Sequence, residues 1–346
     1  MRSLVTDGRG NLEIRHIARP LYNEYQALVK LESCGICGTD SKIINGQFKG
    51  FDHYPASLGH EGVGRVVELG SKVTSFSFGD RVLLPFMEEA IDGVNSGWGA
   101  FSEYAIIGDA QALLVDGKGP GDPQFSEAYY AQQRIPDEIS SVDAAMIVTF
   151  REVLSAIKRF NFQAGESVVI FGAGPVGLTF TKMAKLLGLG PVVVSVNRDS
   201  KIDEAKAVGA DYVFNSSTVD IVRELKALFP QGVDQTVDAV GLPEIMNQSM
   251  KVVKHNGKIC CYGVPKEQKM ELDWSQSEYN WSLHFLQWPS KLEESLCHEQ
   301  ILEWMAEGRL IPSDYISDIV HFDDAVEAFA AAKNKSGKKV VITFDK

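Results

Sequence analysis

Two short stretches carry the residue types from which chemistry could be built. Cys34-Gly35-Ile36-Cys37-Gly38-Thr39-Asp40 is followed by Leu58-Gly59-His60-Glu61-Gly62-Val63-Gly64. A thiolate, an imidazole and a carboxylate from Cys37, His60 and Glu61 make a ligand set suited to zinc. Three protein ligands leave a fourth position for water or substrate, the arrangement of a catalytic rather than a structural site. Taken singly, Cys37 reads as a small buried hydrophobe and His60 as a hydrogen-bonded structural histidine. The Cys34/Cys37 spacing also admits a redox pair. Such a pair opens a helix directly after a strand in a small βαβ unit, whereas here a metal-ligand pattern continues downstream.

A second constellation lies at Gly172-Ala173-Gly174-Pro175-Val176-Gly177, directly after the apolar run Ser167-Val168-Val169-Ile170-Phe171 and before a helix-forming stretch. This is GxGxxG in the context the motif needs. Gly172 permits the tight turn, Gly174 lets the backbone approach a pyrophosphate, and Gly177 lets helix and strand pack; Pro175 and Val176 open the helix whose free amides meet the phosphates. The next strand ends Ser195-Val196-Asn197-Arg198-Asp199-Ser200-Lys201. An acid at Val196 would favour NAD; a guanidinium two residues on favours NADP, with Asn197, Arg198 and Lys201 around the 2′-phosphate. The alternative is NAD, with Arg198 a solvated surface residue and Asp199 on the ribose.

The elements that must position these groups fall into two kinds. To about residue 110, short β-type runs such as 27–31, 62–69 and 81–84 alternate with Gly, Asp and Ser turns, which predicts a mainly antiparallel β domain. From about 143 the period becomes helical, and strands at 167–171, 191–196, 212–214, 235–240 and 258–263 then alternate with helices at 200–208, 218–229 and 243–254. That alternation predicts a parallel sheet with helices on both faces. Helices near 291–307 and 323–333 and a strand at 339–344 close the chain and return to the first domain. The division expected is 1–149 with 288–346, and 150–287. Trp274, Trp281, Trp288 and Phe285 read first as core packing, and otherwise as a subunit interface or a cap over the cleft.

Composition bounds the function. The chain has 346 residues, 45% of them hydrophobic, enough for two cores, and a formal net charge of −12 that argues against nucleic acid as a partner. No apolar run approaches the roughly 20 residues of a membrane span. The five cysteines, at 34, 37, 260, 261 and 297, are too sparse for a disulfide framework, so a reduced, cytoplasmic protein is expected.

Together these features resemble the medium-chain, zinc-containing alcohol dehydrogenase superfamily, whose motifs CGxCGTD and GHExxG match residues 34–40 and 59–64. Gly79-Asp80-Arg81-Val82, Gly99-Ala100-Phe101-Ser102-Glu103-Tyr104 and Gly209-Ala210-Asp211 extend the likeness over nearly the whole chain. The stretch Gly38 to Phe48 and the turn Val196-Asn197-Arg198 are similar to archaeal glucose dehydrogenases, in the sugar and polyol branch. The resemblance implies an α/β protein with a GroES-like β-rich catalytic domain and a Rossmann doubly wound parallel-sheet cofactor domain. It implies Cys37 and His60 as zinc ligands, Glu61 as a direct or exchanging ligand, Thr39 as the group that passes the substrate proton, and a homodimer or homotetramer. The expected reaction moves a hydride between NADP, or NAD, and a polyol, sugar or other small secondary alcohol.

Three departures qualify that expectation. Residues 83–104 lack the cysteines of a second, structural zinc lobe. A carboxylate or amide common near the metal in relatives falls here on Val148-Thr149; Glu152, one helical turn on, is the candidate substitute as a metal ligand, the alternative being a surface or cofactor-facing residue. Lys42 stands where a relay histidine occurs, with His53 an alternative relay. Phe48, Phe86 and Trp98 are candidate pocket walls. The competing readings are a zinc-free NADPH-dependent quinone or enone reductase on the same scaffold, and a catalytically silent dinucleotide-binding protein.

Overall fold

The computed structural model describes residues 1–265, 267, 269–332 and 337–344. The chain divides into two compact units: Met1–Val148 with Ser290–Ile301 and Ile311–Lys346, and Thr149–Pro289 with Leu302–Leu310. The boundary falls inside the 20-residue helix Ser141–Phe160. Leu302–Leu310, expected with the first unit, belongs to the second. The single helix expected over 291–307 is two, Lys291–Ser295 and His298–Ala306. Residue 333 of the last predicted helix lies outside the described residues.

In the first unit a seven-stranded sheet is organised around Gln26–Gly35, which pairs antiparallel with Gly62–Leu69, Tyr104–Gly108 and Lys339–Thr343. Ala27, Leu28, Val29, Leu31 and Cys34 of this strand are all buried, so the run reads as nearly continuous apolar sequence. A smaller four-stranded sheet joins Leu12–His16, Arg2–Thr6, Ala56–Ser57 and Asn95–Ser96. Leu4, Leu31, Ile43, Leu58, Phe101, Phe322 and Ile342 pack as one core. The registers matter for function. Cys34 stands opposite Gly62 on one side and Ile342 on the other. The two ligand motifs and the C-terminal strand are therefore fixed side by side by backbone pairing.

The second unit is a six-stranded sheet with every pairing parallel, in the order Tyr212–Asn215, Val192–Val196, Val168–Phe171, Val233–Asp238, Val253–Cys261, Trp281–Phe285. The chain starts in the middle, winds to one edge and then to the other, so the order reverses between Val168–Phe171 and Val233–Asp238. Ligands of open α/β sheets bind at that switch, outside the strand C-termini. The central runs VVIF and VVVSV are buried throughout. The last strand, Trp281–Phe285, was not foreseen, and core packing does not describe its neighbourhood: Phe285 is 60% exposed, Trp274 69% and Trp288 42%. Trp281 alone packs partly on a core, with Met246 and Ile259.

Candidate active site

The chain leaves the strand Gln26–Gly35 and turns at Cys37, which is extended (φ −113°, ψ 157°) and caps the helix Gly38–Ile44. Asp40, fully buried on that helix, accepts from the Cys37 backbone N–H through Oδ2 at 2.8 Å. Thr39 is 8% exposed and stands between the two. His60 and Glu61 arrive from the other motif, after Gly59 at φ +103°. A Cβ there would lie 2.6 Å from the Phe101 backbone nitrogen, so the approach requires glycine.

Ligand atoms of Cys37, His60 and Glu61 all lie within 4.8 Å of one another. Ions held at about 2.0–2.3 Å from sulfur, nitrogen and oxygen are within reach of such a set after small side-chain adjustment. Asp40 Oδ1 is buried without a hydrogen-bond partner and faces His60 Nδ1 at 3.6 Å. It can orient that ring from behind, as carboxylates behind metal-bound histidines do. Glu61 is buried, and Lys339 Nζ donates to both its oxygens at 2.7 Å. Gly35 permits this pair, since a Cβ there would sit 2.3 Å from Glu61 Oε2.

The electrostatics ask for a cation. Burial pushes the His60 pKa down, but the charges of Cys37 and Asp40 outweigh it and hold it well above its usual 6.5. A pocket that draws a proton onto imidazole because anions surround it is a pocket that a dication would neutralise. The Cys34 thiol is different: burial, then Asp40 and Glu61, push its pKa well up. It lies inside a strand rather than at a helix start, so it lacks the lowered pKa a redox nucleophile needs.

Around the cluster, the Trp98 ring centroid lies 5.1 Å from that of His60, and Phe48 meets Trp98 edge-on at 6.0 Å. Trp98 adopts φ +70°, an uncommon conformation for a bulky residue, which the neighbouring Gly99 at φ +77° continues. Phe86 is buried and bridges to Ile106 through its backbone. Lys42 is half-buried on the helix Gly38–Ile44, and His53 is exposed beside Asp52 at 3.4 Å. Glu152 is half-buried in the second unit, and the three-residue ligand group does not include it.

In the second unit the glycine loop shows three distinct roles. Gly172 has φ +103°, and a Cβ on it would lie 2.6 Å from Val240. A Cβ on Gly177 would lie 2.0 Å from the Gly172 carbonyl oxygen. Nothing lies within 4 Å of one built on Gly174, so the chain there faces open space at the start of the helix Pro175–Leu186. That is a cradle of the kind a pyrophosphate occupies. Across the switch, Asp238 accepts from the N–H groups of Val240, Gly241 and Leu242 at 2.8, 2.8 and 3.2 Å, and burial pushes its pKa up. It fixes the turn that packs on Gly172.

At the end of Val192–Val196, Asn197 and Arg198 are exposed. Lys201 is not: it is 4% exposed and its Nζ donates to Glu204 at 2.6 Å, because the short 3-10 turn Asp199–Lys201 rotates it inward. Asp199 accepts from Asn215 Nδ2 at 2.7 Å. Three functional groups escaped sequence reasoning. Lys339 could have been suspected as the one charge opening an apolar strand, and Asp238 as an acid ending one; Asp40 lay within a quoted motif without a role.

No helix among the described residues is long and apolar enough to cross a membrane. Residues 23–116 match the family described as alcohol dehydrogenase GroES-like domain, and residues 175–284 the family described as zinc-binding dehydrogenase. Sorbitol dehydrogenase of Bacillus subtilis (strain 168) is 30% identical over 283 residues, covering 79% of this chain and 78% of the relative. Among solved structures, 2R,3R-butanediol dehydrogenase from Bacillus subtilis superposes with a TM-score of 0.81 at 21% identity, covering 99% of each chain. A zinc-binding dehydrogenase from Sinorhizobium meliloti 1021 bound to NADP superposes with a TM-score of 0.80 at 24% identity, covering 99% of this chain and 98% of that one. Those two likenesses concern the fold. With both segments matched and a relative of 30% identity spanning 79% of its length, the chain belongs to the zinc-containing medium-chain alcohol dehydrogenase superfamily.

Proposed function

We propose that this protein is a dehydrogenase that moves a hydride between NADP and a polyol, sugar or other small secondary alcohol, with one zinc ion held by Cys37, His60 and Glu61. The observation that carries the reading is the convergence of those three ligand atoms within 4.8 Å, on an anion-rich floor beside Trp98. Zinc, when bound, supplies a Lewis acid that lowers the pKa of an alcohol at the open position. The chain's own residues do the rest. Cys37 and His60 hold the site, and Asp40 sets the ring of His60. The Thr39 hydroxyl accepts the substrate proton and donates onward. Trp98 and Phe48 shield one side from water. Gly172, Gly174, Pro175, Val176 and Gly177 present amides to the pyrophosphate. Zinc content measured together with a substrate screen, run with both NADP and NAD on one preparation, tests this. Turnover that persists in metal-free protein would shift the reading to a zinc-free enone or quinone reductase.

NADP is preferred here because the exposed turn offers the Arg198 guanidinium, while Asp199 is engaged by Asn215 and Lys201 by Glu204. Charge-assisted hydrogen bonds contribute about 1.5–3 kcal/mol. Arg198→Ala is therefore expected to lower kcat/KM with NADP by roughly 10- to 100-fold and leave that with NAD nearly unchanged. Steady-state kinetics with each coenzyme decide it, and an equal loss with both would remove Arg198 from phosphate recognition.

Proton competition gives a further expectation. His60 must be neutral to ligate, and without metal its pKa is raised above 6.5. The imidazole's part of the zinc affinity is therefore lost as pH drops through that raised pKa, by about tenfold per pH unit for the proton displaced. Chelator competition across a pH series measures the slope; a flat profile would contradict imidazole ligation.

We place assembly, a homodimer or homotetramer, at the edge strand Trp281–Phe285. What supports this is its exposed apolar side, with Leu283 45% and Phe285 60% exposed, next to Tyr279 at 99%. Sedimentation of the wild type and of Leu283→Lys tests it.

A further inference from the structure

The first unit holds a cavity of about 710 Å³ that shares no residue with the Cys37 cluster. Three segments wall it, running from Ala18 to Asn23, from Met87 to Asp92 and from Pro123 to Ser126. Its volume is that of a small-molecule site. Its floor is a built polar network. Glu88 Oε2 accepts from Tyr129 Oη at 3.0 Å and from Gln26 Nε2 at 2.9 Å, and Gln26 Nε2 also reaches Tyr129 Oη at 2.9 Å. The far end of Gln26 is fixed as well, Oε1 accepting from the Asn23 N–H at 2.9 Å. Tyr129 is 4% exposed and Gln26 6%, so both donors are buried, while Glu88, whose carboxylate they hold, lines the cavity.

The charge of the lining is unbalanced. Glu88, Glu89 and Asp92 face it, and among the described residues none of the three is in an ion pair. The one cation of the lining, Arg19, is committed elsewhere: its guanidinium lies 4.0 Å over the Tyr104 ring and donates to the Tyr104 hydroxyl at 3.0 Å. Desolvation by the surrounding walls raises the Glu88 pKa, so the anion gains from any cation brought to it. A metal ion does not fit, because the three carboxylates do not gather as a ligand group; among the described residues only Cys37, His60 and Glu61 do. The rest of the lining is mixed, with Leu21, Met87, Ile91 and Phe125 as its apolar part and Asn23, Gln124 and Ser126 as neutral polar groups.

The geometry points to this cavity as a binding site for an organic ammonium with an apolar body, its charge on Glu88 and its hydrocarbon or ring against Leu21 and Phe125. Attraction of a cation to an aromatic face and to a carboxylate held by buried donors acts on the same ligand. Nothing in this depends on turnover at the Cys37 cluster.

The test uses the full-length protein and 2-phenylethylammonium as probe, with 2-phenylacetate as the anion of similar shape, by calorimetric titration. One saturable site for the ammonium, none for the carboxylate, and at least a tenfold loss in Glu88→Gln are expected, since that isostere keeps the shape and removes the charge. Tyr129→Phe, which loosens the carboxylate without touching the ligand, should weaken binding by a smaller factor. Lowering the pH should weaken it too, as Glu88 protonates. Circular dichroism and zinc content show that each variant is folded. Equal binding of both probes, unchanged affinity in folded Glu88→Gln, or no saturable binding of the ammonium each overturns the assignment.

Discussion

Replacing Cys37 by alanine is expected to leave a folded protein that still binds the coenzyme but holds less than a tenth of an equivalent of zinc and turns over at least about 10³-fold more slowly. Loss of the metal removes a Lewis acid worth several kcal/mol, and about 4 kcal/mol of barrier is a factor of a thousand. Folding survives because the Asp40 carboxylate still holds the Cys37 backbone N–H, and only the sulfur's place in the capping box at the helix start is lost. The dinucleotide loop lies in the other unit and keeps its geometry. The control is Cys34→Ala. That thiol is buried, with a pKa pushed well up, and sits opposite Gly62 in the sheet rather than in the ligand group. Its loss should cost about 1 kcal/mol in packing and no zinc. Metal analysis and fluorescence titration with NADPH distinguish these outcomes. Were Cys37→Ala to retain stoichiometric zinc, the thiolate would not be a ligand and the reaction proposed would lose its centre.

The contrast between these two cysteines shows what sequence can and cannot disclose. The spacing CGIC names two thiols but says nothing about which one a strand swallows. The answer lies in the pairing of Cys34 with Gly62 and Ile342, a consequence of sheet register. The ligand motifs and the glycine loop were readable because their constraints are local. Gly59 and Gly172 each adopt φ +103°, and a Cβ on Gly177 would lie 2.0 Å from the carbonyl oxygen of Gly172 in the same loop. The alternation of strands and helices after residue 167 was readable because buried parallel strands are apolar throughout. What stayed hidden depends on long-range partners or on rotation within one turn. Lys201 has the charge of a phosphate ligand, yet the turn directs it to Glu204. Trp274, Trp288 and Phe285 have core composition but are 69%, 42% and 60% exposed, Phe285 on the edge strand of its sheet. Leu302–Leu310 follows its helix into the other unit.

Lys339 is the extreme of this class, 278 residues from the carboxylate it holds, and its replacement gives the second large effect. The ammonium and Glu61 are both buried, 4% and 1% exposed, and are joined through both carboxylate oxygens at 2.7 Å. In Lys339→Met the side chain keeps its bulk and loses its charge, leaving Glu61 as an anion beside Cys37 and Asp40. Breaking one partner of a buried pair costs about 3–5 kcal/mol, so the metal-free variant should unfold several degrees lower. Zinc changes the sign of the argument. On the proposed ligation, the wild-type ammonium competes with the metal for Glu61, and in the variant zinc takes the place of the ammonium removed from beside it. Saturating zinc should therefore raise the unfolding temperature of Lys339→Met by more than it raises that of the wild type, and the gap between the two should narrow. Lys339→Arg should behave like the wild type. Adding Glu61→Gln to Lys339→Met should recover much of the metal-free stability, because the uncompensated charge is gone, while zinc then stabilises the double variant least. Thermal denaturation of the four proteins with and without zinc reads all of this. A drop in Lys339→Met that zinc does not narrow would mean that Glu61 faces the lysine only and never the metal.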